Sequence, residues 1–284
     1  MFHLRILRSV CLIVAQRFRH SSALPSNISG RLWRSFLYVP GDRAKMIQKI
    51  IDSTALLGSH QSSSHIPDLT VLDCEDAVAL DQKLADAIET KLDHAFALQQ
   101  RPALGLIAMI ESCTAVLNLP GICKASRSLK VPLQCVVFGS DDYCVSLGVE
   151  RSNENTELSY ARQFIPVVAR AFGLSSIDMV DIDYKDMDKL TVNCRRGAQL
   201  GFTGKQTIHP AQLPVVNSSF APSPARIEWS KALLAEAAKH SVSNDGVSAG
   251  AFSFRGRMID RPTLRQARYI IEMSQLLNLQ VNSS

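Results

Sequence analysis

Acidic residues recur in this sequence at one kind of place, just after short apolar runs. Asp73, Glu75 and Asp76 follow the run ending at Leu72, and Glu111 follows Leu106 to Ile110. Asp141 and Asp142 follow Cys135 to Phe138, and Asp181 and Asp183 belong to the end of Met179 to Ile182. In a parallel α/β barrel all strand ends of this kind open on one face, where active sites are built. Carboxylates meeting there suit magnesium, a hard cation held by one or two carboxylates plus waters and substrate oxygens. Clusters of His and Cys are absent from the sequence, which argues against zinc. Aspartate after a strand also caps the following helix, and for Asp81 and Asp186 capping is the preferred reading. Glu111 is different, because Glu is a poor cap and here ends an otherwise apolar run. Spacing alone therefore leads to a metal-dependent barrel enzyme acting on an oxyacid.

The elements that must carry these acids alternate. Strands are expected at Phe36 to Val39, Thr70 to Leu72, Leu106 to Ile110, Cys135 to Phe138, Met179 to Ile182 and Thr203 to Ile208. Helical patterns lie between them, around Met46 to Ile51, Asp81 to Gln99, Thr114 to Leu119, Tyr160 to Phe172 and Leu190 to Leu200. Continuous apolar strands separated by helices predict a parallel sheet buried on both faces. The polar stretch from Gly58 to Pro67 reads as a surface loop. After His209 the pattern changes to a helix over Pro224 to His240, a Ser/Gly-rich loop, the segment AFSFRGRMIDRP and a terminal helix. These predict a barrel domain over 34–221 and a C-terminal appendage or lid over 222–284.

Composition sets limits. A chain of 284 residues with 46% hydrophobic and 20% charged residues suits one large α/β domain with an appendage. The seven cysteines form no C-x-x-C pair and read as reduced thiols. Residues 1–30 contain no Asp or Glu but carry Arg5, Arg8, Arg17 and Arg19, the pattern of a mitochondrial targeting presequence. Without those four arginines the net charge falls from +5 to +1, so no basic surface for nucleic acid is indicated. The apolar run Val10 to Ala15 is far short of the about 20 residues a membrane span needs.

Read in order, RSFLYVPGDRAKMIQKI, VLDCEDAVA, IAMIESCTAVLNL, CVVFGSDDYCVSLG, GFTGKQTIHPAQL and FRGRMIDRPTLRQA resemble successive landmarks of the citrate lyase β-subunit-like (HpcH/HpaI aldolase/citrate lyase) family. The resemblance runs from about Arg34 to the end. It implies a TIM (β/α)8-type barrel that forms a homotrimer, each appendage covering a neighbour's active site. It also implies Mg2+-dependent cleavage of an acyl-CoA, with citramalyl-CoA giving pyruvate and acetyl-CoA in the mitochondrial matrix. Malyl-CoA or citryl-CoA lyase and malate synthase activities occur in the same family.

On this resemblance Glu111 and Asp142 bind the metal, and Glu75 and Asp76 hold metal-bound water. Asp260 of the M-I-D motif is the acid/base residue; its alternative is a turn aspartate before Pro262. Tyr38, Lys45 and Lys49 contact the CoA substrate, and Ile208 and His209 contact it through the backbone. Lys45 and Lys49 are spaced i, i+4, so both ammonium groups share one helical face. That face suits CoA phosphates, and equally a solvated surface.

The sequence also departs from the family. Two further β/α units ordinarily separate the VLDCED and IES strands, ending in an Arg-Val-Asn motif, whose arginine binds substrate oxygens, and a Pro-Lys-x-Glu motif. Neither is present here, and Arg101, the only arginine in that interval, precedes its strand. The barrel is therefore expected to be incomplete, with about six of eight β/α units. A catalytically impaired chain acting as an interaction subunit is the alternative function.

Overall fold

The computed structural model describes residues 33–40, 45–46, 67–73, 106–127, 133–241 and 252–277. Its strands are β1 (Ser35–Pro40), β2 (Leu69–Asp73), β3 (Leu106–Ile110), β4 (Leu133–Phe138), β5 (Ser175–Asp178) and β6 (Gly204–Thr207). They form one six-stranded sheet in the order β2-β1-β6-β5-β4-β3, and every pairing is parallel. The last strand thus returns to lie beside the first, the closure pattern of a β/α barrel. The chain is an α/β protein with an incomplete barrel.

Alternation along the strands sorts the core into two faces. Phe36, Ile107, Cys135, Val137 and Ile177 pack together with Trp33, and Tyr38 and Met109 join them. Leu37 and Val39 face the other way, against Leu213. Close approach of β6 to the start of β1 requires Gly204: a Cβ there would fall inside contact distance of the Trp33 and Arg34 carbonyl oxygens. The β1–β2 edge is fastened by a fork, Arg34 Nε to Asp68 Oδ2 at 2.9 Å and Nη2 to Oδ1 at 2.8 Å.

The helices are α1 (Cys113–Ser126), α2 (Ser140–Leu147), α3 (Ser159–Ala171), α4 (Met187–Leu200) and α5 (Leu213–Ser219). Ser112 caps α1 by accepting from the Ala115 amide at 3.1 Å. The sequence pattern ended this helix at Leu119, before Pro120, but α1 runs through the proline. Val116, Leu119 and Cys123 keep one buried stripe continuous across it. Asp186 caps α4 as expected, accepting from the Lys189 amide at 2.8 Å.

The fifth strand is a correction. It spans Ser175–Asp178, not the apolar run Met179 to Ile182. The Thr203 hydroxyl bonds the backbone amide and carbonyl of Ser176, and the buried Asp178 is paired with Arg162. Met179 is buried, but Ile182 is exposed beyond the sheet.

The chain divides into two units, Met1–Asn217 and Ser218–Ser284. The second holds α6 (Pro224–Ser241), the hairpin β7 (Phe252–Phe254) and β8 (Arg257–Ile259), and α7 (Arg261–Leu276). Its core joins Leu233, Ile259 and Ala267 with Trp229, Phe252 and Phe254. Arg255 (φ 50°) and Gly256 (φ 74°) make the tight hairpin turn, where both central residues need positive φ. Among the described residues no helix is long and apolar enough to cross a membrane. The proposed presequence over 1–30 lies outside the described residues.

Candidate active site

Glu111 is the first residue beyond β3, and its side chain is half-buried. It lies over Gly139, the residue that links β4 to α2: a Cβ at that glycine would stand 2.7 Å from Glu111 Cβ and 3.0 Å from its Oε2. The Gly139 amide donates to the Ile110 carbonyl at 3.1 Å, so the two strand ends are tied at this point. Gly139 is also the N-cap of α2, with Asp141 and Asp142 in the first turn. The Glu111 carboxylate therefore rests beside a helix N-terminus, whose partial positive charge favours an anion.

The two aspartates of that turn differ. Asp141 Oδ1 pairs with Arg151 Nη1 at 3.1 Å. Among the described residues Asp142, which is exposed, takes part in no recorded hydrogen bond or ion pair. Asp142 is thus the acid of the pair left open to a ligand. No group of three or more His, Cys, Asp or Glu side chains able to hold a metal occurs among the described residues. A pair of carboxylates is the donor set magnesium uses when waters and substrate complete its shell, so Glu111 and Asp142 fit that ion by donor chemistry.

Beyond β5 the other acids are already committed. Asp181 Oδ1 accepts from Asn193 Nδ2 at 2.8 Å, and its Oδ2 lies 3.3 Å from Lys205 Nζ. That lysine is fully buried on β6 and donates to the Met179 carbonyl at 2.6 Å. Asp183 is exposed and accepts from the Lys185 amide at 3.2 Å, a local turn contact. Both aspartates thus have partners within the protein, which separates them from Asp142.

At the end of β6, Gln212 engages Ile208 and His209. Its Oε1 accepts from the amides of both, at 2.9 and 3.2 Å, and its Nε2 donates to the Asp181 carbonyl at 3.1 Å. The amides of Ile208 and His209 are therefore engaged within the protein. What these residues present outward is an exposed Ile208 side chain and the His209 ring. His209 Nδ1 accepts from the Ala211 amide at 3.1 Å, and the ring stacks on Tyr184 with centroids 4.6 Å apart.

Tyr38 sits on β1 with its hydroxyl 3.9 Å from Met109 Sδ. Lys45 is exposed in a helical turn after β1. Lys49, Glu75 and Asp76 lie outside the described residues. Asp260 belongs to the second unit and caps α7, accepting from the Thr263 hydroxyl at 2.6 Å and amide at 2.9 Å. Those two bonds, the hydroxyl's first, hold its carboxyl below the usual range. Burial pushes the thiols of Cys123, Cys135 and Cys144 up, so these cysteines are packing residues rather than nucleophiles.

Residues 99–210 match the family model described as HpcH/HpaI aldolase/citrate lyase. Over that stretch the chain is similar to HpcH/HpaI aldolase/citrate lyase proteins. It is 41% identical over 175 residues to human mitochondrial citramalyl-CoA lyase, an alignment covering 60% of this chain and 50% of that protein. The mouse enzyme of the same name is 39% identical over 175 residues. The chain thus spans about half the length of these relatives. A citrate lyase subunit β-like protein of Deinococcus radiodurans aligns at 28% identity across 86% of this chain and 98% of its own length.

Among solved structures, CitE of Mycobacterium tuberculosis in complex with magnesium, acetoacetate and coenzyme A superposes with a TM-score of 0.64. Identity is 23%, over 87% of this chain and 99% of that one. A Burkholderia xenovorans citrate lyase superposes at 0.66, with 15% identity over 89% and 94% of the two chains. At such identities the likeness shows the shared fold.

Proposed function

We propose that this chain is a Mg2+-dependent acyl-CoA lyase of the mitochondrial matrix, cleaving citramalyl-CoA to pyruvate and acetyl-CoA. One observation carries the reading: the Glu111 carboxylate lies against the N-terminal turn of α2, whose Asp142 is exposed and unpartnered among the described residues. The named activity of the mammalian relatives supports the substrate, and their mitochondrial designation supports the compartment. Magnesium in the CitE complex supports the ion.

Glu111 and Asp142 would hold the cation. A bound divalent cation supplies Lewis-acid polarisation of the substrate's oxygens. Tyr38, Lys45 and Lys49 are the residues assigned to the CoA portion, and Ile208 and His209 to the wall of the site beyond β6. In the reaction the bond between the acetyl α-carbon and the carbinol carbon breaks. The hydroxyl proton leaves to a base and the pyruvate carbonyl forms. The bonding electron pair passes into the thioester enolate, which is then protonated on carbon to give acetyl-CoA. Asp260 is assigned this proton transfer on its place in the M-I-D motif; the Thr263 bonds that hold its carboxyl low make it a weaker base until they are released. In this reading Asp260 serves a neighbouring copy within a homotrimer.

The interval between Asp76 and Glu111, which lacks the substrate-binding arginine, favours a second reading, a catalytically impaired chain that joins intact relatives. Release of acetyl-CoA from citramalyl-CoA by the purified full chain separates the two. The lyase reading expects turnover that a chelator abolishes and magnesium restores. Absence of turnover at saturating magnesium, with malyl-CoA and citryl-CoA equally inert, would instead establish the impaired form.

A further inference from the structure

We propose that Arg151 is a positioning residue for the candidate metal centre, fixing the first turn of α2 so that Asp142 alone of the acid pair is free to bind a cation. The inference rests on the metal reading above and adds a residue to it. Arg151 lies in the loop between α2 and α3, where no sequence motif marks it, yet its whole guanidinium is spent on the site's framework. Nη1 donates to Ser140 Oγ and to Asp141 Oδ1, both at 3.1 Å, so it grips the two residues immediately before Asp142. Nη2 donates to the Val180 carbonyl at 2.9 Å, approaches Met179 Sδ at 3.5 Å, and stands 3.8 Å from Asp181 Oδ1. Nε donates to Asn155 Oδ1 at 3.0 Å, and Asn155 is buried with a left-handed φ of 54°. A non-glycine residue persists there only when its surroundings over-determine it.

This pattern is more specific than a brace between loops. One planar cation joins the ends of β4 and β5, the geometry a rigid fork serves and a lysine cannot copy. Asp141 and Asp142 are adjacent carboxylates on one turn, and either could swing toward a cation. Pairing Asp141 with Arg151 removes one competitor and also fixes the backbone from which Asp142 projects. Lys205 performs the matching task one strand further on, holding Met179 and Asp181 from β6.

The test is Mn2+ binding by the purified full chain without substrate, followed by calorimetry, for wild type, Asp142→Asn, Arg151→Ala and Arg151→Lys. Partners that orient metal ligands typically govern affinity by about 10–100-fold. Arg151→Ala should therefore weaken Mn2+ binding by roughly 10-fold or more, and Arg151→Lys by a smaller factor of the same sign. Should the alanine variant fail to fold, the lysine variant, which keeps the charge and loses the fork, carries the test alone. A merely structural arginine would lower the melting temperature and leave the Kd for Mn2+ of the folded protein unchanged, and that result overturns the proposal while sparing the metal reading. Wild-type protein that binds no Mn2+, or binds it equally well as Asp142→Asn, overturns the metal reading and this inference with it.

Discussion

Glu111→Gln is expected to lower kcat/KM for citramalyl-CoA by about 10²–10³-fold, the scale of losing one preorganised electrostatic contact in an active site. The substitution keeps the shape of the side chain and its packing over Gly139, and replaces the charge and one acceptor oxygen with an NH2 donor. Melting temperature should therefore stay close to that of wild type. Gly139→Ala gives an independent route to the same site. Its methyl group would stand 2.7 Å from Glu111 Cβ and 3.0 Å from Oε2, so the glutamate must move to accept it. Activity should fall in the same direction although no acid has been changed. Full activity in Glu111→Gln, at magnesium concentrations limiting for wild type, would show that this carboxylate holds no ion.

The largest effect on stability is expected at Arg162. It is buried on α3 and meets Asp178, fully buried on β5, through a two-pronged contact of 3.1 and 2.6 Å. Asp178 also accepts from the Met179 amide at 2.9 Å. Removing one partner of such a pair leaves a charge with neither water nor counter-ion, a loss of about 3–5 kcal/mol. Arg162→Ala should show that loss as a lower urea midpoint, against a total stability of about 5–15 kcal/mol for a typical domain. Asp178→Asn in the same background should recover part of it, because the stranded charge is then gone. Equal stability of Arg162→Ala and wild type would mean that the pair does not hold α3 to β5.

These two residues illustrate what could and could not be read from the chain. The place of Glu111 at the end of a strand was legible, because the apolar run before it reads as β3. The parallel sheet was legible from runs such as Leu106–Ile110 and Cys135–Phe138, which are apolar along their whole length. Arg162 was invisible within the amphipathic pattern of α3, since a buried cation is identified only by its partner across space. The same cause displaced β5. Asp178 is a charged residue made tolerable in a buried strand by Arg162, which lies on another element, while the more apolar run that follows leaves the sheet. The bonds of Gln212 to the Ile208 and His209 amides were invisible for a related reason: a side chain that satisfies two backbone amides leaves no periodic trace.

The acid pair after β4 shows the limit most clearly. Asp141 and Asp142 are equivalent by composition and neighbours by position. Their difference arises from Arg151, reached only when the loop after α2 folds back over the ends of β4 and β5. Asp260 carries the opposite lesson. Its place before Pro262 suggested a turn aspartate, and in the structure it caps α7, so that structural duty now stands beside the chemical one proposed for it.

A direct titration of Mn2+ into the metal-free chain, comparing wild type with Glu111→Gln and Asp142→Asn, tests the central claim without recourse to turnover. One saturable site per chain in wild type, weakened in each single variant and lost when both are combined, is the result expected if these two carboxylates share a cation. Undiminished binding in the double variant would contradict it.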